Sequence, residues 1–254
     1  MKMEILAGLL LPLVGTTLGS GCVFFMKQGF APWMQKVLMG FSAGVMAAAA
    51  VWSLLIPALE QSETMGSWSF LPAAAGFWIG IFLLMLLEKQ VNRLNHFRNS
   101  LSQKEQKTKM MILAVTLHNL PEGMAVGVAF AGWLSGNVQI SLAGALLLTI
   151  GIAVQNLPEG AIVSMPLCAE GMKKRKAFGY GVLSGVVEPL AGMLTILAAE
   201  FFTAVLPYCL SLAAGAMFYV VVEALSSEET EHKIQILTFS AGFTLMMILD
   251  VVLK

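Results

Sequence analysis

Two nearly identical polar motifs lie within apolar segments of the sequence. HNLPEG begins at His118, and QNLPEG, which begins at Gln155, repeats five of its six letters. Residues four apart share one face of an α-helix, so the first and fifth residues of each motif point the same way. These pairs are His118 with Glu122 and Gln155 with Glu159. Because an imidazole, two carboxylates and a carboxamide oxygen together suit a divalent transition metal, the repeat predicts a metal site to which each motif contributes half.

The remaining motif residues support the same interpretation. Asn119 and Asn156 precede the motif glutamates by three positions, which places their amides beside the carboxylates. Pro121 and Pro158 cannot donate to the helical hydrogen-bond ladder, so each leaves one backbone carbonyl without its regular partner. Inside a membrane such a carbonyl must face protein, water or a ligand. The alternative is a pair of proline-kinked helices whose polar groups only hydrogen-bond each other.

A third glutamate, Glu188 in SGVVEPLAG, falls near the middle of another apolar segment. A charged side chain at the centre of a bilayer costs about 2.5–3.5 kcal/mol on insertion scales, and no lysine or arginine is expected at that depth. The three glutamates are therefore either protonated or paired with a cation, which makes Glu188 a further candidate ligand. Its alternative role is to mark a helix break, because Pro189 follows it.

Other side chains that often bind metals are weaker candidates. Met46 and Ser53 lie seven positions apart in the second apolar segment and share a helical face, although a lone methionine is more typical of packing. Cys22, Cys168 and Cys209 are isolated and form no CxxC pair. They therefore predict neither a thiolate cluster nor a disulfide framework.

The composition places these motifs in a membrane protein. The chain has 254 residues, of which 57% are hydrophobic and 12% charged, a combination that would force a soluble domain to expose apolar surface. Eight windows come near the ~20 residues that a helix needs to cross a bilayer. They are about Met3–Met26, Val37–Leu59, Phe70–Leu87, Met110–Trp133, Val138–Leu167, Ala177–Ala199, Tyr208–Leu225 and Ile234–Leu253. We expect an all-α polytopic fold that forms one transmembrane domain over residues 1–254.

The distribution of basic residues predicts the orientation. Net charge is zero, with 15 basic and 15 acidic residues. If the N-terminus is outside, 13 of the 15 basic residues lie in the inner connections, above all in the polar loop Glu88–Lys109 and in Lys173–Lys176. The positive-inside rule therefore predicts outside termini and a cytoplasmic loop at residues 88–109. Met1–Met26 resembles a signal peptide in part, but its length favours a retained span.

The repeat also predicts internal symmetry. Consecutive spans run in opposite directions, so the two motifs approach from opposite sides and can meet near the midplane. Spans one to three and six to eight then form inverted halves around spans four and five, a design that recurs in transporters.

At the motif residues the chain resembles the ZIP (Zrt-, Irt-like) family of divalent metal transporters, particularly its bacterial GufA-like branch. HNLPEG is similar to the fourth-span motif of that branch and QNLPEG to its fifth-span motif. The resemblance implies a two-metal site between these spans. Its first position would use His118, Glu122, Gln155 and Glu159, with Met46 and Ser53 nearby. Its second position would use Asn119, Asn156 and Glu188 and share the two motif glutamates.

The family also implies how the protein works. Some members have aspartate where this chain has Asn156, so the second position has one negative charge fewer and is expected to bind its cation less tightly. The resemblance implies transport toward the cytoplasm by a homodimer in which spans one, four, five and six slide against spans two, three, seven and eight. Glu60 and Glu223, near the outer end of span two and the inner end of span seven, are expected to help cations enter and leave.

The sequence thus predicts a transporter, not an enzyme, in the cytoplasmic membrane. Its substrate would be Zn²⁺ and related ions such as Fe²⁺, Cd²⁺ and Mn²⁺, with no prosthetic group and no nucleic-acid partner. Its expected partners are these ions, the lipid bilayer and a second copy of the chain. The alternative is an intramembrane zinc-dependent hydrolase with a zinc-bound water and a motif glutamate as base, but the sequence has no HExxH helix.

Overall fold

The computed structural model describes residues 2–26, 31–96, 103–136, 140–199, 206–226 and 232–253, and these residues contain helices and no strand. The α-helices are α1 (Lys2–Gly21), α2 (Pro32–Ala49), α3 (Ile56–Glu60), α4 (Phe70–His96), α5 (Gln103–Leu134), α6 (Leu142–Ala169), α7 (Lys174–Gly185), α8 (Val187–Ala199), α9 (Leu206–Leu225) and α10 (His232–Leu253). Short 3₁₀ helices occupy Cys22–Phe24 and Glu63–Trp68, and a π-helix at Ala50–Leu55 joins α2 to α3. The predicted all-α fold is confirmed for the described residues.

Seven helical segments of the described chain are long and apolar enough to cross a membrane. They are α1, α2 with α3, α4, α6, α7 with α8, α9 and α10. The remaining predicted span is α5, which carries HNLPEG and begins with a lysine-rich turn. The chain is thus a multi-pass helical protein, and the eighth span stays a prediction.

The connection predicted over residues 88–109 is shorter than expected. Helix α4 continues to His96 and α5 already begins at Gln103, so only residues 97–102 lie between them. Charged residues do not by themselves end a helix, so the polar composition of residues 88–109 did not show where α4 ends and α5 begins. Residues 97–102 lie outside the described part of the chain.

The sixth span consists of two helices instead of one. Helix α7 ends at Gly185, the amide of Val186 bonds to the carbonyl of Leu183, and α8 begins at Val187. Pro189 is the third residue of α8, where a backbone N–H would have no helical partner in any case, so the proline is tolerated there. Glu188 lies in the first turn of α8, where the helix dipole favours a negative charge. The helix break anticipated from Pro189 is therefore present, and it sets the position of the Glu188 carboxylate.

The long helices pack in four main pairs. Helix α1 packs against α6 and α5 against α8, while α2 packs against α10 and α4 against α9. Glycines allow these backbones to approach closely, as is common between membrane helices. Gly15 and Gly19 of α1, for example, lie against the backbone carbonyls of Ala153 and Leu157 in α6.

Replacing Gly19 by alanine should destabilise the protein. A Cβ at this position would overlap the carbonyl oxygen of Leu157, which belongs to the backbone and cannot rotate away. Overpacking of this kind costs about 1–3 kcal/mol, so we expect the apparent Tm in detergent to fall by roughly 2–10 °C. Gly21 is the matched control, since a Cβ there meets nothing within 4 Å. A Gly19→Ala variant as stable as Gly21→Ala would contradict the close contact between α1 and α6.

Candidate metal centre

The two motifs lie within unbroken helices and contact each other. HNLPEG is part of α5 and QNLPEG is part of α6, and both helices continue through their prolines. The Gln155 amide Nε2 donates a hydrogen bond of 2.8 Å to Glu122 Oε1. Both side chains are fully buried. The first residue of one motif thus contacts the fifth residue of the other directly.

The second motif glutamate has a partner that the sequence did not indicate. Ser42 of α2 donates a hydrogen bond of 2.5 Å to Glu159 Oε1. Ser42 is 3% exposed and Glu159 is 9% exposed, so both side chains are buried at this contact. Each motif glutamate consequently has one oxygen that accepts a hydrogen bond and a second oxygen, Oε2, that has no partner.

Glu188 is surrounded by hydrogen-bond donors. Its Oε1 accepts from Asn119 Nδ2 at 2.8 Å and from the Thr16 hydroxyl at 3.1 Å, and its Oε2 accepts from Asn156 Nδ2 at 2.8 Å. The structure therefore brings together Asn119, Asn156 and Glu188, the residues predicted for the second metal position. Unlike the motif glutamates, Glu188 keeps no carboxylate oxygen without a donor.

Five buried oxygens of the two motifs have no hydrogen-bond partner. A buried acceptor without a donor costs about 1–3 kcal/mol. A group of such acceptors therefore favours the binding of a cation at the two motifs. All five are carboxylate or carboxamide oxygens, the kinds that bind divalent cations. They are Asn119 Oδ1, Glu122 Oε2, Gln155 Oε1, Asn156 Oδ1 and Glu159 Oε2.

A cavity of about 240 Å³ reaches the motifs from one side. Its lining includes the predicted site residues Met46, His118 and Glu159, together with Ser42 and Glu223. His118 Nε2 lies 3.2 Å from Glu223 Oε2 of α9, so the imidazole is turned toward the cavity. The other residues that line the cavity are Gln35, Met39, Val115, Ile162, Val220 and Ala224.

Ser53 lies apart from this group, although it was predicted beside Met46. Ser53 lies within the π-helix Ala50–Leu55, whose wider turns change the direction of its side chains relative to a regular α-helix. The shared face predicted from a spacing of seven is therefore wrong. Ser53 instead donates a hydrogen bond of 3.2 Å to Asp250 Oδ1, and both line a separate small cavity.

The protein side chains alone do not form a compact acidic or histidine cluster. Within the described ranges, no group of three or more His, Cys, Asp or Glu side chains is arranged to hold one metal ion. The carboxamides of Gln155, Asn119 and Asn156 occupy places between the glutamates, and His118 points to Glu223. The exact ligand set of either position stays a prediction.

Sequence reasoning missed two polar contacts of the site. Thr16 was not distinguished from the other small polar residues of span one, although a polar residue within a span tends to face protein. Ser42 precedes Met46 by four positions and so shares its helical face. The spacing from Met46 would have identified it.

The contacts of the motif glycines also follow the internal repeat. Gly123 of the first motif lies against the backbone of Glu188 in α8, and Gly160 of the second lies against the backbone of Thr16 in α1. Thr16 thus occupies the place beside the second motif that Glu188 occupies beside the first. The two residues contact each other through the hydrogen bond already described.

The chain is similar to known proteins. The family described as ZIP zinc transporter matches residues 95–250. Zinc transporter ZIP11 of Xenopus tropicalis is 32% identical, over 98% of this chain and 97% of its own length. Zinc transporter GufA of Myxococcus xanthus is 32% identical over 94% of this chain and 95% of its own length, and zinc transporter ZIPB of Bordetella bronchiseptica is 34% identical over 86% and 72%.

Proposed function

The chain belongs to the ZIP family of zinc transporters, and we propose that it carries Zn²⁺ and related divalent ions across the cytoplasmic membrane toward the cytoplasm. Family membership makes the chain a transporter and not an enzyme. We therefore do not propose the alternative of an intramembrane zinc hydrolase. The similarity to GufA supports the assignment to the GufA-like branch.

The five unpartnered oxygens of the two motifs are the observation that carries this proposal. They are buried, uncharged or negative, and contributed by both halves of the repeat. A divalent cation that enters between α5 and α6 gains oxygen ligands without first breaking their hydrogen bonds. We propose that Glu122, Gln155 and Glu159 form the first position with His118 and Met46, the latter two from the cavity side.

We propose that Asn119, Asn156 and Glu188 form a second, weaker position that shares the motif glutamates. The amides of both asparagines donate to Glu188, so a cation at this place would compete with hydrogen bonds that already satisfy the carboxylate. The first position has no such competition at Glu122 Oε2 and Glu159 Oε2. This difference supports a modulating role for the second position.

We further propose eight spans in an inverted 3+2+3 arrangement, with α5 as the fourth span. The helix pairs support it. The symmetry exchanges span one with six, two with seven, three with eight and four with five. It converts the α1–α6 pair (spans one and five) into the α8–α5 pair (spans six and four). It likewise converts the α2–α10 pair (spans two and eight) into the α9–α4 pair (spans seven and three). All four observed pairs are thus accounted for by one symmetry operation.

The same pairs support a sliding mechanism. Each of the four main pairs lies within one of two groups, the carrier group of α1, α5, α6, α7 and α8 or the scaffold group of α2, α4, α9 and α10. Helices α2 and α9 of the scaffold group also pack against α6 and α5 of the carrier group, respectively. Both metal positions are built mainly from the carrier group. We propose that the carrier group moves relative to the scaffold group within a homodimer.

In the proposed orientation the cavity opens toward the cytoplasm. Glu223 lies near the inner end of α9 and pairs with His118 at the cavity wall. It is half exposed, so a cation that leaves the first position meets a solvated carboxylate next. We propose that Glu223 assists release and that Glu60, which is exposed at the end of α3, assists capture on the outer side.

Uptake into proteoliposomes tests the transport proposal. Purified protein should carry Zn²⁺ into vesicles loaded with a fluorescent zinc indicator, with saturable kinetics, whereas vesicles without protein should not. Cd²⁺, Mn²⁺ and Fe²⁺ as competitors would define the range of substrates. Protein that is correctly folded yet gives no uptake above that of protein-free vesicles would contradict the proposal.

Cysteine labelling tests the proposed orientation. On a background lacking Cys22, Cys168 and Cys209, a cysteine at position 100 should be shielded from an impermeant thiol reagent in intact cells, because basic connections stay inside. A cysteine at Ser67, in the exposed 3₁₀ helix Glu63–Trp68, should react. Labelling of the cysteine at position 100 together with protection of the cysteine at position 67 would contradict the proposed orientation and indicate the reverse one.

A further inference from the structure

Ser42 contacts the metal centre from a helix that does not belong to the carrier group. It lies on α2, in the scaffold group, and it is almost fully buried. Its hydroxyl donates to Glu159 Oε1 on α6, in the carrier group. The hydrogen bond therefore bridges the two groups that are proposed to move relative to each other.

Glu122 provides the internal comparison. Its Oε1 also accepts one hydrogen bond, but the donor is Gln155 of α6, which belongs to the carrier group like Glu122 itself. This bond would travel with the site during transport. The bond from Ser42 would not, because α2 remains behind when α6 moves. Of the two described donors to the motif glutamates, Ser42 alone depends on the relative position of the groups.

We propose that Ser42 is a positioning residue that weakens the hold of Glu159 on the metal ion in the state that opens to the cavity. This inference rests on the proposed function, in which Glu159 is a ligand. A hydroxyl that donates to Oε1 occupies one lone pair of that oxygen and draws negative charge toward itself, so Oε1 becomes a poorer ligand than Oε2. Glu159 then holds the cation less firmly, and the ion is released more readily.

The surroundings of Ser42 fit a role in release. Ser42 and Glu159 both line the cavity, as do His118 and Glu223. An ion that leaves Glu159 thus moves into the space where the half-exposed Glu223 is available. When the carrier group moves away from α2, Glu159 loses the hydroxyl and Oε1 becomes a better ligand, so the site binds more tightly on the side of capture than on the side of release.

The Ser42→Ala variant tests this proposal. Alanine removes the hydroxyl without adding volume. We expect KM and the maximal rate of Zn²⁺ uptake to fall together, each roughly 3- to 10-fold, because the net contribution of one hydrogen bond is lost from the releasing state. The Kd for Zn²⁺ of the purified protein should fall by a similar factor. Ser42→Thr retains a hydroxyl and should restore both parameters.

Ser211→Ala is the matched control. Ser211 is also a buried serine of a scaffold helix, but its hydroxyl bonds to backbone carbonyls, such as that of Pro207 at 2.7 Å. Ser211→Ala should leave KM and Kd unchanged. A merely structural role of Ser42 would lower the maximal rate without tightening binding, and this result, or unchanged kinetics in Ser42→Ala, would overturn the proposal.

The two readouts separate this inference from the transport proposal. If the wild-type protein binds Zn²⁺ but does not carry it, the transport proposal fails, while the Kd comparison between wild type and Ser42→Ala still decides the role of Ser42. If the wild-type protein neither binds nor carries the ion, both proposals are overturned.

Discussion

Replacing Glu122 or Glu159 by glutamine should reduce the rate of Zn²⁺ uptake roughly 100-fold or more, since removing one charged partner of a buried ion pair costs about 3–5 kcal/mol. Each carboxylate is buried and keeps one oxygen without a hydrogen-bond partner. Glutamine preserves size and shape but removes the charge. These should be the least replaceable residues of the protein, because both proposed metal positions share them.

Substitutions of the other predicted ligands should reduce uptake to different degrees, and less than substitutions of the two motif glutamates. His118→Ala should severely reduce uptake, because the imidazole serves the first position from the cavity. Glu188→Ala should leave measurable uptake, because both oxygens of Glu188 are already occupied by donors from Thr16, Asn119 and Asn156. Initial rates in proteoliposomes with equal amounts of folded protein provide the measurement.

Two outcomes would change the proposed division of the site. Near-total loss of uptake in Glu188→Ala, equal to that in Glu122→Gln, would show that both positions are obligatory. Full activity of Glu159→Gln would remove Glu159 from the ligands, and with it the proposed role of Ser42. Gly21→Ala, which places its Cβ in open space, controls for effects of substitution as such.

Helical periodicity predicted the centre of the site because its residues lie on regular helices. The repeat of the motif predicted that its two copies meet, and Gln155 of α6 does contact Glu122 of α5, since both helices remain regular through their prolines. The spacing within each motif did not reveal that His118 turns to Glu223. Glu188 was found from the cost of a carboxylate within an apolar segment, whereas its grouping with the two asparagines, which it contacts, was implied by the resemblance to the ZIP family.

Periodicity failed where the helices are irregular. The π-helix at Ala50–Leu55 lies in an apolar run whose residues give no sign of an altered hydrogen-bond register, and it includes Ser53, which therefore does not share the face of Met46. Ser42 and Thr16 were missed for another reason. A hydroxyl within a span usually bonds to the carbonyl one turn earlier, so neither residue was considered as a partner of a carboxylate on another helix, although the spacing of Ser42 from Met46 places both on one helical face.

The Asn156→Asp variant should bind Zn²⁺ more tightly and transport it more slowly. Asn156 Nδ2 now donates to Glu188 Oε2 at 2.8 Å and to the Pro12 carbonyl at 3.4 Å. Aspartate has nearly the same size, but it cannot donate while ionised, and it adds a negative charge beside Glu188 in a medium of low dielectric. A cation at the second position relieves this repulsion, so its Kd should fall roughly 10-fold or more, equivalent to about 1.4 kcal/mol or more.

Stability in the presence and absence of metal distinguishes the charge from the lost donor. Without metal, Asn156→Asp should have a lower Tm than the wild type, and added Zn²⁺ should raise its Tm by more than it raises that of the wild type, because a ligand stabilises in proportion to its binding. Asn156→Ala is the matched control. It loses the same donor without gaining charge, so it should show the lower Tm but no tighter binding.

Isothermal titration gives affinity and stoichiometry, and initial rates at saturating Zn²⁺ should be lower in Asn156→Asp because an ion held more firmly is released more slowly. Unchanged metal binding in Asn156→Asp would mean that residue 156 does not face a metal position, and that Asn119, Asn156 and Glu188 form a structural hydrogen-bond cluster beside a single metal site.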